Sequence, residues 1–145
     1  MTSTPKQRIE LACATRGAPE VVAGCLALIG GGDTDPELVE ILSNPAGPRY
    51  LDAPPDQRYW LRVWGVRGLR WALCAPDAPA AHDPDIVEAL LSALADESWR
   101  VRENATKVVA QHRVDAAQPA IAALLTDEIP RVRAAAARAL RLLTN

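Results

Sequence analysis

Apolar and small residues recur along the chain at offsets 0, 4, 7 and 8. Val101, Ala105, Val108 and Val109 have this spacing, as do Leu61, Gly65, Gly68 and Leu69, and, near the start, Val21, Cys25, Leu28 and Ile29. Residues so spaced share one face of an α-helix, because four and seven positions are close to one and two turns. Extending the pattern outward predicts eight helices in four pairs. First helices fall near 5–15, 35–43, 84–95 and 115–126; second helices fall near 18–29, 57–73, 99–112 and 130–143. Pro19 and Pro130 stand where a first helical turn tolerates a missing N–H, and "GGGD", Gly30 to Asp33, ends one helix and opens a connection. No apolar strand precedes those glycines, which argues against a phosphate-cradling loop. The fold class expected is all-α.

The pairs repeat. "DESWRVRENATKVV", Asp96 to Val109, aligns with "DEIPRVRAAAARAL", Asp127 to Leu140, at an offset of 31, and the segments before them align too, Leu90 over Ile121 and Leu94 over Leu125. At an offset of 40, Asp56, Leu61, Arg62, Gly65 and Leu69 fall over Asp96, Val101, Arg102, Ala105 and Val109. Each unit is a first helix, a short turn beginning at Asp, and a second helix, so one domain of four repeats is expected at about 5–32, 33–75, 83–113 and 115–145. Two connections are long and proline-rich: "NPAGPRYLDAPPD" inside the second repeat and "CAPDAPAAHDP" after it. They should be extended and stiff rather than helical. In the first of them Asn44 competes with Asp56 for the place of the turn Asp.

The pattern of Asp, five residues, Arg, then small and apolar residues at helical spacing resembles HEAT repeats, particularly the short bacterial type first described in phycobilin lyases. The resemblance implies a right-handed α-α superhelix, a HEAT-like solenoid of about four helix pairs. In that family the turn Asp and the Arg six residues later build a hydrogen-bonded ladder between neighbouring repeats. Here that implies Asp56 with Arg62, Asp96 with Arg102 and Asp127 with Arg133. The second helices of such a solenoid line its concave surface.

Charge is what singles out a candidate surface. From the second repeat onward the first helices and turns are acidic, carrying Asp35, Glu37, Glu40, Asp83, Asp85, Glu88, Asp96, Glu97, Asp115, Asp127 and Glu128, and the first helices themselves hold no Lys or Arg. The second helices are basic. With the three ladder arginines set aside they hold Arg58, Arg67, Arg70, Arg100, Lys107, Arg113, Arg131, Arg138 and Arg141 against Glu103. Arg67, Lys107 and Arg138 occupy one equivalent position in successive repeats, so the resemblance implies a cationic row on a concave face. Such a row favours an extended anionic partner, an acidic protein segment or a nucleic-acid backbone. Beside it, Trp60, Trp64, Arg67 and Trp71 share a face whose equivalents one repeat later are Arg100, Asn104, Lys107 and Gln111. The tryptophans are either an exposed apolar hot spot or the floor under a long loop. The candidate binding residues are therefore Trp60, Trp64, Arg67, Trp71, Arg100, Lys107, Arg131 and Arg138.

Composition adds bounds. At 145 residues, 49% hydrophobic and net charge −2, the chain suits a globular domain with no global demand for nucleic acid. No apolar run approaches the roughly 20 residues of a membrane span, and "MTSTPKQRIE" lacks a leader pattern, so a cytoplasmic location is expected. Cys13, Cys25 and Cys74, each set among apolar neighbours, are expected to be buried and reduced. His82 and His112 have no metal-ligand spacing, and His112 falls in the apolar register. No nucleophile elbow or carboxylate pair away from helix caps is present, so neither catalysis nor a cofactor is expected. The reading is a protein-binding scaffold for an acidic partner. The alternative is a nucleic-acid-binding protein related to the DNA glycosylases built from HEAT-like repeats, whose catalytic Asp maps to no residue of this chain.

Overall fold

A computed structural model describes residues 3–144, all of whose regular elements are α or 3-10 helices. The chain divides into two compact units, Met1–Pro79 and Ala80–Asn145. The end of the last expected repeat, at 145, lies outside the described residues.

The N-terminal unit contains α1 (Pro5–Arg16), α2 (Ala18–Ile29), α3 (Pro36–Leu42) and α4 (Tyr59–Ala72), with 3-10 segments at Gly47–Asp52 and Pro55–Gln57 before α4. Local side-chain caps start α1 and α3. Thr4 and Gln7 form a capping box on α1, and Asp35 accepts the Leu38 amide at α3. The first amide of α2, on Ala18, donates 3.0 Å to the carboxylate of Asp77, so the long connection after α4 caps a helix far earlier in sequence. The predicted stripes are core: Val21, Cys25, Leu28 and Ile29 of α2 and Leu61, Gly65, Gly68, Leu69 and Ala72 of α4 are all buried. α4 crosses α2 closely enough that a Cβ on Gly65 would lie 2.8 Å from the Cys25 carbonyl oxygen.

The C-terminal unit contains α5 (Pro84–Leu94), α6 (Trp99–His112), α7 (Gln118–Ala123) and α8 (Pro130–Thr144). Val101, Ala105, Val108 and Val109 are fully buried, facing α5 and α8. The helix expected over 115–126 is interrupted by 3-10 segments at Asp115–Ala117 and Leu124–Thr126. Pro119 has no N–H for the Asp115 carbonyl, which takes the Gln118 amide instead and tightens that turn.

Three expectations are corrected. The connection 44–56 is not extended, since most of it coils into the two 3-10 segments. Its turn residue is Asn44, whose side chain accepts the Ala46 amide at 2.9 Å as Asp96 accepts Ser98 at 2.8 Å and Asp127 accepts Ile129 at 2.9 Å. Asp56 instead lies exposed in the second 3-10 segment. Among the thiols, Cys13 and Cys25 are buried but Cys74 is exposed.

Candidate binding surfaces

In the N-terminal unit the tryptophan face of α4 is divided. Trp64 is only 6% exposed. Tyr50, carried by the first 3-10 segment, meets its ring edge-on at 5.4 Å, and Trp60 stacks on it at 6.2 Å. The connection 44–56 therefore lies over Trp64, which is core. Trp60 is half-buried and continues the aromatic run to Tyr59. Trp71 stands apart, at the other end of α4, where the Arg70 guanidinium lies 4.4 Å and the Lys6 ammonium 5.4 Å from its ring centre. It walls a cavity of about 210 Å³ together with Glu10, Cys13, Cys74 and Asp77.

Arg67 does not present its charge to solvent. Its Nη2 donates to the Leu42 carbonyl at the end of α3, and Arg8 of α1 donates from Nε to Ile41 O at 3.0 Å and from Nη2 to Ser43 O at 2.8 Å. Two arginines thus satisfy the open carbonyls of a seven-residue helix and complement its negative end. Burial, and then the neighbouring charge of Arg8, draw Arg67 below the ordinary arginine value. The place expected for Arg67 in a solvent-facing row is corrected accordingly. Arg8, a residue the repeat pattern does not flag, shares this role because α1 packs against α3.

In the C-terminal unit four expected residues, Arg100 and Lys107 of α6 and Arg131 and Arg138 of α8, lie on adjacent packed helices at equivalent positions. Positions 100 and 107, like 131 and 138, are two turns apart and share a face. Trp99 sits between guanidiniums, Arg100 at 4.5 Å and Arg131 at 5.4 Å, and Arg131 donates 3.0 Å to Glu103, which is itself buried. Trp99 and Glu103 were not among the expected residues. The signal for Trp99 was its position beside Arg100 at the start of α6. Lys107 is half-buried and Arg138 exposed, and among the described residues neither makes a hydrogen bond or ion pair. Glu103 is the single acid of α6, and α8 has none.

The ladder is real in this unit, and its carboxylate contact crosses to the neighbouring repeat. Arg102 donates from Nε at 2.8 Å and Nη2 at 3.0 Å to the two oxygens of Asp127 in the next repeat, and from Nη1 to the carbonyls of Asp96 and Glu97 in its own turn. Arg133 donates to the Asp127 carbonyl at 2.6 Å. Burial raises the Asp127 carboxyl, but Arg102, the Ile129 amide and the charge of Arg133 outweigh it and hold the group below the usual carboxylate range. In the N-terminal unit Arg62 lines a cavity of about 220 Å³ with Arg58, Leu61, Pro55, Gly31 and Gly32.

Among the described residues no cluster of three or more His, Cys, Asp or Glu is arranged to hold a metal, and no helix is long and apolar enough to cross a membrane. No curated protein and no solved structure matches the chain. A family model described as HEAT repeats matches residues 62–145, more than half of the sequence and all of the region in which the Asp-turn and Arg-fork contacts are formed. With that match, and with helices packed in sequence as pairs, the chain belongs to the HEAT-repeat family.

Proposed function

We propose that the chain is a non-enzymatic interaction scaffold that receives an acidic protein segment on the α6–α8 face bearing Arg100, Lys107, Arg131 and Arg138, with Trp99 beside it. The observation that carries this reading is charge segregation. The one acid on these two helices, Glu103, is buried and committed to Arg131, while Lys107 and Arg138 have no hydrogen-bond or ion-pair partner among the described residues. A cationic patch beside an aromatic ring combines steering with a desolvated anchor. The HEAT-repeat match supports a scaffold, since these repeats commonly serve as protein-interaction surfaces. The Asp-turn and Arg contacts support the short bacterial repeat type.

The test titrates the full chain with a fluorescent glutamate-rich peptide and, in parallel, with duplex DNA. The expected result is salt-sensitive peptide binding that weakens by about tenfold or more in a Lys107→Glu, Arg138→Glu variant with unchanged thermal stability. Equal binding by that variant removes the face from consideration. Tighter binding to DNA than to peptide, with log K falling steeply against log salt, replaces the protein partner with a nucleic acid.

A further inference from the structure

The cavity beside Trp71 lies wholly within the N-terminal unit. One wall is α1, where Glu10, Cys13 and Ala14 are spaced to share a face. The other is the end of α4 with the connection that follows it. There the Cys74, Ala75 and Ala78 amides donate to the Trp71, Ala72 and Ala75 carbonyls, each at 3.1 Å, and Asp77 is tied to the Ala18 amide at the start of α2. These turns pin the backbone on that side, so the space of about 210 Å³ is part of the fold.

The charge in its lining has one sign. Glu10 and Asp77 are the ionised side chains of the wall. Asp77 Oδ2 takes the Ala18 amide. Among the described residues Asp77 Oδ1 and both oxygens of Glu10 have no hydrogen-bond or ion-pair partner. Lys6, one turn before Glu10, does not pair with it. Its ammonium lies over the Trp71 ring, as does the Arg70 guanidinium, and neither borders the cavity. The Cys13 thiol also lines the space. It is 6% exposed and has no hydrogen-bond partner among the described residues. Burial raises it first, and then Asp77 and Glu10, so the field of both carboxylates reaches the inner wall.

We propose that this cavity binds a small organic ammonium ion, its charge held by Glu10 and Asp77 and its apolar stem lying against Trp71 and Pro76. Carboxylates beside apolar walls are costly to dry without a counter-charge, and an ammonium supplies charge-assisted hydrogen bonds to both. The size narrows the class. A cavity of about 150 Å³ holds benzene, so this one takes a single ring or short alkyl stem with its ammonium and is too small for a nucleotide. The site is in a different unit from the α6–α8 face and selects the opposite charge, so it does not rest on the function proposed above.

The experiment titrates the full chain with phenethylammonium by calorimetry and follows Cys74, an exposed residue of the wall, by its rate of disulfide exchange. The expected result is saturable binding, with labelling of Cys74 slowed about fivefold or more at saturation. Phenylacetate, which has a similar ring and the opposite charge, should do neither. Ala14→Leu fills the space and should abolish both effects, and Glu10→Gln should weaken binding by about threefold or more. Both positions are exposed, so the melting temperature of each variant should match that of the wild type. Absence of saturable binding, equal binding of phenylacetate, binding indifferent to both variants, or binding that leaves Cys74 unprotected overturns the proposal. An ammonium on an apolar stem is carried by free amines and by lysine side chains, and N-acetyl-lysine methylamide separates the two sources. Binding of that probe tighter than phenethylammonium supports the site with a lysine as its occupant, and weaker binding supports it with a free amine.

Discussion

Arg102 and Asp127 have side chains 11% and 7% exposed, so each holds the other's charge in a place that water barely reaches. Removing one partner leaves an uncompensated buried ion. Asp127→Asn is expected to cost about 3 kcal/mol in urea denaturation. The same pair sets an acid limit. The folded Asp127 carboxyl lies below its unfolded value, so its contribution to stability is complete above about pH 4 and is lost as pH falls through the depressed folded value. Melting temperatures of wild type and Asp127→Asn should therefore converge on acidification. The thiols divide by burial. Burial pushes Cys25 up to about 12, with nearby Cys13 adding to it, and Cys13 is raised by burial and then by Asp77 and Glu10. Under native conditions at pH 8 a disulfide-exchange reagent should label exposed Cys74 and reach the other two only after unfolding. Their apolar sequence contexts are alike; what differs is that Cys13 and Cys25 lie within their helices, whereas Cys74 follows the last turn of its own and is exposed.

At the scale of elements, α2 and α4 lie close because glycine stands at 65 and 68. A Cβ at 65 would meet the backbone oxygen of Cys25, which cannot swing aside as a side chain can. Gly65→Ala is expected to destabilise by roughly 1–3 kcal/mol despite its better helix propensity, measured by thermal or urea unfolding. α3 is short, and its C-terminal carbonyls depend on Arg8 and Arg67. Arg67→Ala should cost roughly 1–3 kcal/mol, while Arg138→Ala on an exposed face should stay within about 0.5 kcal/mol. Periodicity made the stripes of α2, α4, α6 and α8 readable residue by residue, since burial follows helical spacing. It left the connection 44–56 unread, because proline content reports a restricted φ without saying whether successive turns are extended or 3-10.

For the whole molecule, a net charge of −2 conceals a separation, from the second repeat onward, of acid into first helices and base into second helices, visible in the order of residues alone. The all-α fold, the four helix pairs, the buried stripes and the Asp-turn pattern were likewise determined by sequence, because each depends on spacing within one helix or on a side chain reaching a backbone amide two residues away. Which cations remain available was decided only by tertiary structure. Arg67 and Lys107 occupy one register position, yet one donates to the Leu42 carbonyl at the end of α3 and the other has no ion-pair partner among the described residues. Trp64 is enclosed by Tyr50, fourteen positions earlier in a loop whose path no periodicity describes, and Asp77 caps a helix 59 residues away. The ladder carboxylate of Arg102 comes from the next repeat, 25 residues on, rather than from its own turn. Helical spacing states which way a side chain leaves its helix. What it then meets depends on where the other elements pack, and that is set by the close fit of many weak contacts across the core rather than by any local run of residues.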